Sequence, residues 1–130
     1  MSEPIHTYSL RTLASRIRDG SLTPTAVVEG VLDRIQLLDG ELNAFITVTE
    51  DRARDAARKA ERDLVAGKYA GPLHGIPVLV KDQAETAGIR TTFGSEACAD
   101  HVPETDATIV SKLKDAGAIV LAKTSLPDFA

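Results

Sequence analysis

The chain has 130 residues, with 15 basic and 19 acidic side chains, a formal net charge of -4 and 43% apolar residues. That length allows one domain at most, and the composition is that of a folded globular protein, not a disordered one. The mildly acidic balance leaves no basic footprint for sequence-independent binding of nucleic acid, and the longest apolar runs, Ile76–Val80 and Ala118–Ala122, are too short to cross a bilayer.

The opening MSEPIHTYSL has neither the basic region nor the apolar region of a secretory leader. The single cysteine, Cys98, has no intrachain partner and suits a reducing, cytoplasmic setting. With 4% aromatics and no tryptophan, a core has to be built from Ala, Val, Ile and Leu.

Helical periodicity begins at Leu10, Leu13, Ala14 and Ile17, with Gly20 placed to stop it. Thr23 as N-cap and Pro24 at the first position open a second helix. Its apolar face is Val27, Val28, Val31, Leu32, Ile35 and Leu38, and Gly40 is the expected stop. The third starts near Thr49, where Glu50 and Asp51 complement the helix dipole. It buries a small-residue stripe of Ala53, Ala56, Ala57, Ala60 and Leu64, and the alternating charges from Arg52 to Asp63 form a solvated face. A fourth runs from about Asp106 to Ala116, with Ile109, Val110 and Leu113 inward and Gly117 as its stop.

Ile76–Val80 and Ala118–Ala122 read as strands covered on both faces, and Ala44–Val48 is a weaker strand candidate. The fourth helix lies between the two good strands, as in a crossover between parallel neighbours. Between them, Asp82–Thr105 is a long connection without periodicity, a kind of loop that is functional or disordered. Two good parallel strands leave apolar edges unpaired, so residues 1–130 read as an incomplete N-terminal segment of a larger α/β domain. Residues 1–70 are mostly helical, and 71–130 hold the first core strands, the long loop and the crossover helix.

The stretch from Gly71 to Asp82 carries the most chemical information. A turn feeds an apolar strand that ends in Lys81, where open α/β sheets place their ligands. The period of two puts Val78 and Val80 on one face and Leu79 and Lys81 on the other, so Lys81 and Asp82 point apart. The plain alternative is a lysine marking the strand's exit to solvent. An ordinary lysine is neutral in only about one molecule in 2500 at pH 7, so a lysine acting as base needs desolvation, which Val78–Val80 could supply.

Elsewhere the signals are weak. Ser95, in the hydroxyl-rich loop from Gly88 to Ser95, lacks the G-x-S-x-G setting of a nucleophile. His6, His74 and His101 lack metal-ligand spacing, Cys98 has no placeable histidine partner, and Gly67-Lys68 fails the phosphate-loop pattern. No cofactor and no metal are expected.

Together these residues resemble the amidase signature family. The resemblance runs through Gly75-Ile76-Pro77, Lys81-Asp82, Thr91-Thr92 with Gly94-Ser95, Asp106-Ala107-Thr108, Leu113, Ala116-Gly117-Ala118-Ile119 and Lys123-Thr124. Thr23-Pro24 and Asn43-Ala44-Phe45 are similar to the family's opening helices. Gln83, Ser125 and Asp128 depart from it, standing where the family often has Asn, Asn and Glu.

The resemblance implies a mixed sheet flanked by helices and hydrolysis of carboxylic amides by a Ser–cis-Ser–Lys triad. It places the triad lysine at Lys81 and both serines beyond residue 130, since no Gly-Gly-Ser-Ser-Gly-like text occurs. The expected partner is a small-molecule amide, with no direct nucleic-acid contact and no membrane. A homodimer, or partner subunits if the protein is like the A subunit of a tRNA-dependent amidotransferase, are the assemblies implied. The alternative of another class is a non-catalytic truncated α/β module, and residues 1–130 alone are expected to be inactive.

Overall fold

A computed structural model describes residues 4–129; Met1–Glu3, within the stretch read for a leader, and Ala130 lie outside them. In chain order the elements are α1 (Leu10–Arg18), α2 (Pro24–Leu42), β1 (Phe45–Val48), α3 (Glu50–Val65), β2 (Pro77–Lys81), α4 (Thr108–Asp115) and β3 (Ile119–Thr124). Short 3-10 turns lie at Ile5–Thr7 and Glu96–Cys98.

The helix starts follow their capping chemistry. Ser9 accepts from the Thr12 amide at 3.1 Å and Thr23 accepts from the Ala26 amide at 3.1 Å, with Pro24 inside the first turn of α2. Thr49 stands at the cap position of α3 but caps nothing: its hydroxyl donates to the Leu121 carbonyl at 2.9 Å, tying the helix to β3. The end of α2 departs from expectation, because the helix passes through Gly40 to Leu42. Asn43 stops it instead in the left-handed region, φ 50°, donating to the Asp39 carbonyl at 2.8 Å while the Asp39 carboxylate takes the Ala44 amide at 2.6 Å.

The sheet has the order β1-β3-β2, with β1 antiparallel and β2 parallel to the central β3. The parallel pair is joined through α4, as the sequence predicts. The weaker strand candidate exists and covers one edge of β3, so one edge expected to be bare is paired. On one face, Ile119, Leu121 and Ala122 pack against Val28 and Leu32 of α2 and Ala53 and Ala57 of α3. The alanine stripe is what lets α3 approach. On the other face, Val80 and Val120 meet Val110 of α4 and Ile89 of the long loop. A third cluster joins Ile17, Val27 and Ile76 near the start of β2.

Val110 is fully buried, whereas Ile109, expected inward, is 57% exposed. The helix begins only at Thr108, and its eight residues are oriented by Val110 against Val80 and Val120, which turns Ile109 outward. The charges of α3 form the expected solvated face, in pairs such as Arg58–Asp55 and Lys59–Asp63, both 2.6 Å. Such exposed pairs add little stability.

One irregularity governs the site. Val78 pairs with Val120, but Leu79 pairs with Ala122, so Leu121 is an extra residue in β3. Leu121 and Ala122 both contribute to the cluster under α2 and α3, and the alternation slips by one. Lys123, paired with Val80, thereby lies on the α4 side, under the long loop, instead of on the α2–α3 side.

Candidate functional site

Lys81 is the last residue of β2, at the carboxyl end of the parallel pair and in register with Thr124. It is exposed on the same face as Leu79, itself 48% exposed. The described residues therefore do not build the desolvated setting that a catalytic lysine would need. Val80 is buried on the opposite face.

Asp82 leaves on that opposite face and is fully buried. Its amide donates to the Thr124 carbonyl at 3.1 Å and its carbonyl accepts from the Phe93 amide at 3.0 Å. The Oδ2 atom takes both the amide and the hydroxyl of Thr92, at 2.9 and 2.5 Å. Oδ1 has no hydrogen-bond partner and lies 3.7 Å from the Lys123 ammonium.

Lys123 explains that orphan. It is completely buried, and its three N–H groups are spent on the Ala84 carbonyl at 2.6 Å, the Thr91 hydroxyl at 2.8 Å and the Thr86 hydroxyl at 3.1 Å. Nothing remains to donate to Asp82, so the pair interacts by charge alone. Burial pulls the Lys123 pKa below its ordinary value, against the opposing pull of Asp82 and, more weakly, Glu85.

These two buried charges order the long connection, which is structured throughout. Ala84 closes a turn on the Lys81 carbonyl at 3.0 Å, and Asp106 takes the Ala87 amide at 2.7 Å. Arg52 of α3 donates to the Gly88 carbonyl at 2.7 Å, and Arg90 reaches the carbonyls of Ala99 and Ile46. Gly94 has φ +73°, and a Cβ there would lie 2.8 Å from the Pro127 carbonyl oxygen, so only glycine lets the loop touch the segment after β3. Arg90, Gly94, Ser95, Ser125 and Leu126 border a groove at this end of the sheet.

The remaining sequence candidates lie apart. His74 is buried between α3 and β2, with its Nδ1 accepting from the Ala70 amide at 3.0 Å and its Nε2 2.9 Å from the Ala60 carbonyl. His101 faces Glu85 at 3.2 Å, and Cys98 is a half-buried free thiol. Among the described residues no group of three or more His, Cys, Asp or Glu side chains is disposed to hold a metal ion, and no helix is long and apolar enough to cross a membrane.

The residue-by-residue reading missed Lys123. A charged residue after five apolar ones reads as a strand's exit, whereas β3 continues through Lys123 to Thr124 and the bulge turns the lysine inward. The signal that did point to it was the family resemblance, which runs through Lys123-Thr124.

The model of the Amidase family matches residues 26–130. The chain belongs to that family. It is 49% identical over 104 residues to the A subunit of a glutamyl-tRNA(Gln) amidotransferase from Alkaliphilus metalliredigens, covering 80% of this chain and 21% of the relative. It is 36% identical over 126 residues to the same subunit from Carboxydothermus hydrogenoformans, covering 97% of this chain and 26% of the relative. Among solved structures, the native peptide amidase from Stenotrophomonas maltophilia superposes with a TM-score of 0.91 at 37% identity, over 98% of this chain and 26% of that one. The chain thus spans about a quarter of the length of these relatives, and the mixed α/β arrangement described above is that of the corresponding part of the amidase signature fold.

Proposed function

We propose that the complete protein is an amidase-type hydrolase acting on the C–N bond of carboxylic amides, and that Lys81 is the lysine of its Ser–cis-Ser–Lys triad. The observation that carries this reading is the placement of Lys81 at the carboxyl end of a parallel strand, followed by a turn that buried charges hold rigid, in a chain of the Amidase family. Lys81, as the free amine, takes a proton through the bridging serine from the nucleophilic serine, whose Oγ bonds to the amide carbonyl carbon. Backbone amides near that serine stabilise the oxyanion. As the C–N bond breaks, the proton passes to the leaving nitrogen, and water then hydrolyses the acyl ester. The serines are contributed from outside residues 1–130, and a cytoplasmic setting, supported by the lone Cys98, belongs to the same reading.

The test is ammonia release by the intact protein from acetamide, propionamide and benzamide, beside Lys81→Ala. The expected result is hydrolysis of at least one amide and a loss of kcat of at least about 100-fold in the variant, the scale of a lost general base. Undiminished turnover by Lys81→Ala would overturn the assignment.

A second reading, an amidotransferase component that releases ammonia for a tRNA-bound amino acid, is favoured by the amidotransferase relatives. It predicts ammonia release from glutamine that depends on partner subunits, while the amidase reading predicts release by the protein alone.

A further inference from the structure

We infer that Lys123 and Asp82 form a positioning unit for Lys81, setting the backbone from which Lys81 reaches the serines; the inference rests on the role proposed for Lys81.

The geometry is a clamp on one turn. Lys81 occupies its first position, and its carbonyl accepts from the Ala84 amide at 3.0 Å. The Ala84 carbonyl at the other end is gripped by the Lys123 ammonium at 2.6 Å. Between them, Asp82 is fixed to β3 through the Thr124 carbonyl and to the loop through Thr92 and Phe93. The Lys81 carbonyl, both backbone groups of Asp82 and both of Ala84 are therefore tied down, the last of them directly by Lys123. The bulge at Leu121 is what puts the ammonium on this side of the sheet.

A stability role alone explains the arrangement poorly. A buried ion pair is commonly no more stabilising than apolar residues of the same volume, and this one leaves a carboxylate oxygen unbonded. Its distinctive effect is to fix one backbone geometry next to an exposed lysine. Lys123 and Asp82 touch no reacting atom; they act through Lys81.

The test uses the intact protein and a fluorophosphonate probe, which reports an activated serine whatever the natural amide is. The labelling rate is followed against pH for wild type, Lys81→Ala and the charge-balanced double variant Lys123→Met with Asp82→Asn, with thermal unfolding as the check on folding. Wild type labels, Lys81→Ala loses labelling by at least about 100-fold, and the folded double variant loses at least about 10-fold with a displaced pH midpoint. A double variant that folds and labels with the wild-type rate and pH profile overturns the positioning role while leaving Lys81 in place. A wild type that fails to label, or a Lys81→Ala variant that labels normally, overturns the reading of Lys81 and the inference with it. If the double variant does not fold, Thr91→Val decides. It removes one of the three acceptors and leaves both charges, and a several-fold slower labelling with a shifted midpoint supports the role, whereas wild-type behaviour overturns it.

Discussion

Asp106 shows how a single carboxylate sets the path of the long connection. Its Oδ1 accepts from the Ala87 amide at 2.7 Å and from Lys114 at 2.9 Å, and its Oδ2 lies 2.7 Å from Lys114, so it staples the start of the loop to the end of α4. Burial pushes its pKa up, but the Lys114 hydrogen bond, the Ala87 amide and the Lys114 charge together outweigh it and hold the carboxyl below its usual 3.8. A carboxyl depressed in the folded state stabilises the fold above the unfolded value, and that stabilisation is lost as pH falls through the folded one. Asp106→Asn keeps an acceptor for Ala87 but loses the charge. We expect it to lower the stability of the intact protein by about 1 kcal/mol at pH 7, the Lys114 contribution being small because that lysine is partly solvated. The gap between wild type and variant in thermal midpoint should stay constant from neutral pH down to about 4.5 and then narrow below 3.8. A gap independent of pH would show that the charge contributes nothing.

At the level of elements, the closeness of α3 to the sheet depends on side-chain size. Ala53 and Ala57 are fully buried against Val28, Leu32 and the central strand. Enlarging either has nowhere to go in a close-packed interior. Ala57→Leu should therefore cost about 1–3 kcal/mol and lower the denaturation midpoint of the intact protein, while the same change at the exposed Ala97 should be silent. Equal effects at the two positions would refute the packing argument. The alanine stripe was readable because helical periodicity survives in any context that buries one face, and Thr23-Pro24 was readable because capping is local chemistry. Gly40 misled, since a helix interior tolerates glycine when the left-handed Asn43 and the Asp39 carboxylate supply a better stop. Ile109 misled because α4 is too short for its own periodicity to orient it, and Val110 is positioned by the sheet. The bulge at Leu121 left no trace, as no glycine or proline marks it and it exists only in the pairing with β2. For the site this meant that Lys81 could be placed from the strand period, but the burial of Lys123 could not.

On the scale of the whole molecule, only the central strand of the sheet is covered on both edges. β1 and β2 flank β3, and neither has a second neighbouring strand among the described residues; the longer open edge is that of β2. That edge carries Leu79, 48% exposed, and ends at Lys81, while Ile109 of α4 is 57% exposed. The unpaired edge and the catalytic candidate thus belong to one surface, and the relatives this chain matches extend to about four times its length. A strand edge of apolar residues with free N–H and C=O groups is a template for pairing with further chain, whether the rest of the same protein or a second copy. Produced alone, the 130-residue chain should therefore self-associate in size-exclusion chromatography with light scattering, and it should release no ammonia from simple amides. Leu79→Lys, which adds a charge to the edge without entering the core, should shift it toward monomer. The opposite result, a monodisperse wild-type monomer with a single cooperative thermal transition, would mean that α4 and the loop protect the edge well enough for this unit to stand by itself. Ammonia release by that same chain would mean that a nucleophile lies within residues 1–130, and Ser95, on the groove beside Arg90 and Ser125, would be the first residue to replace.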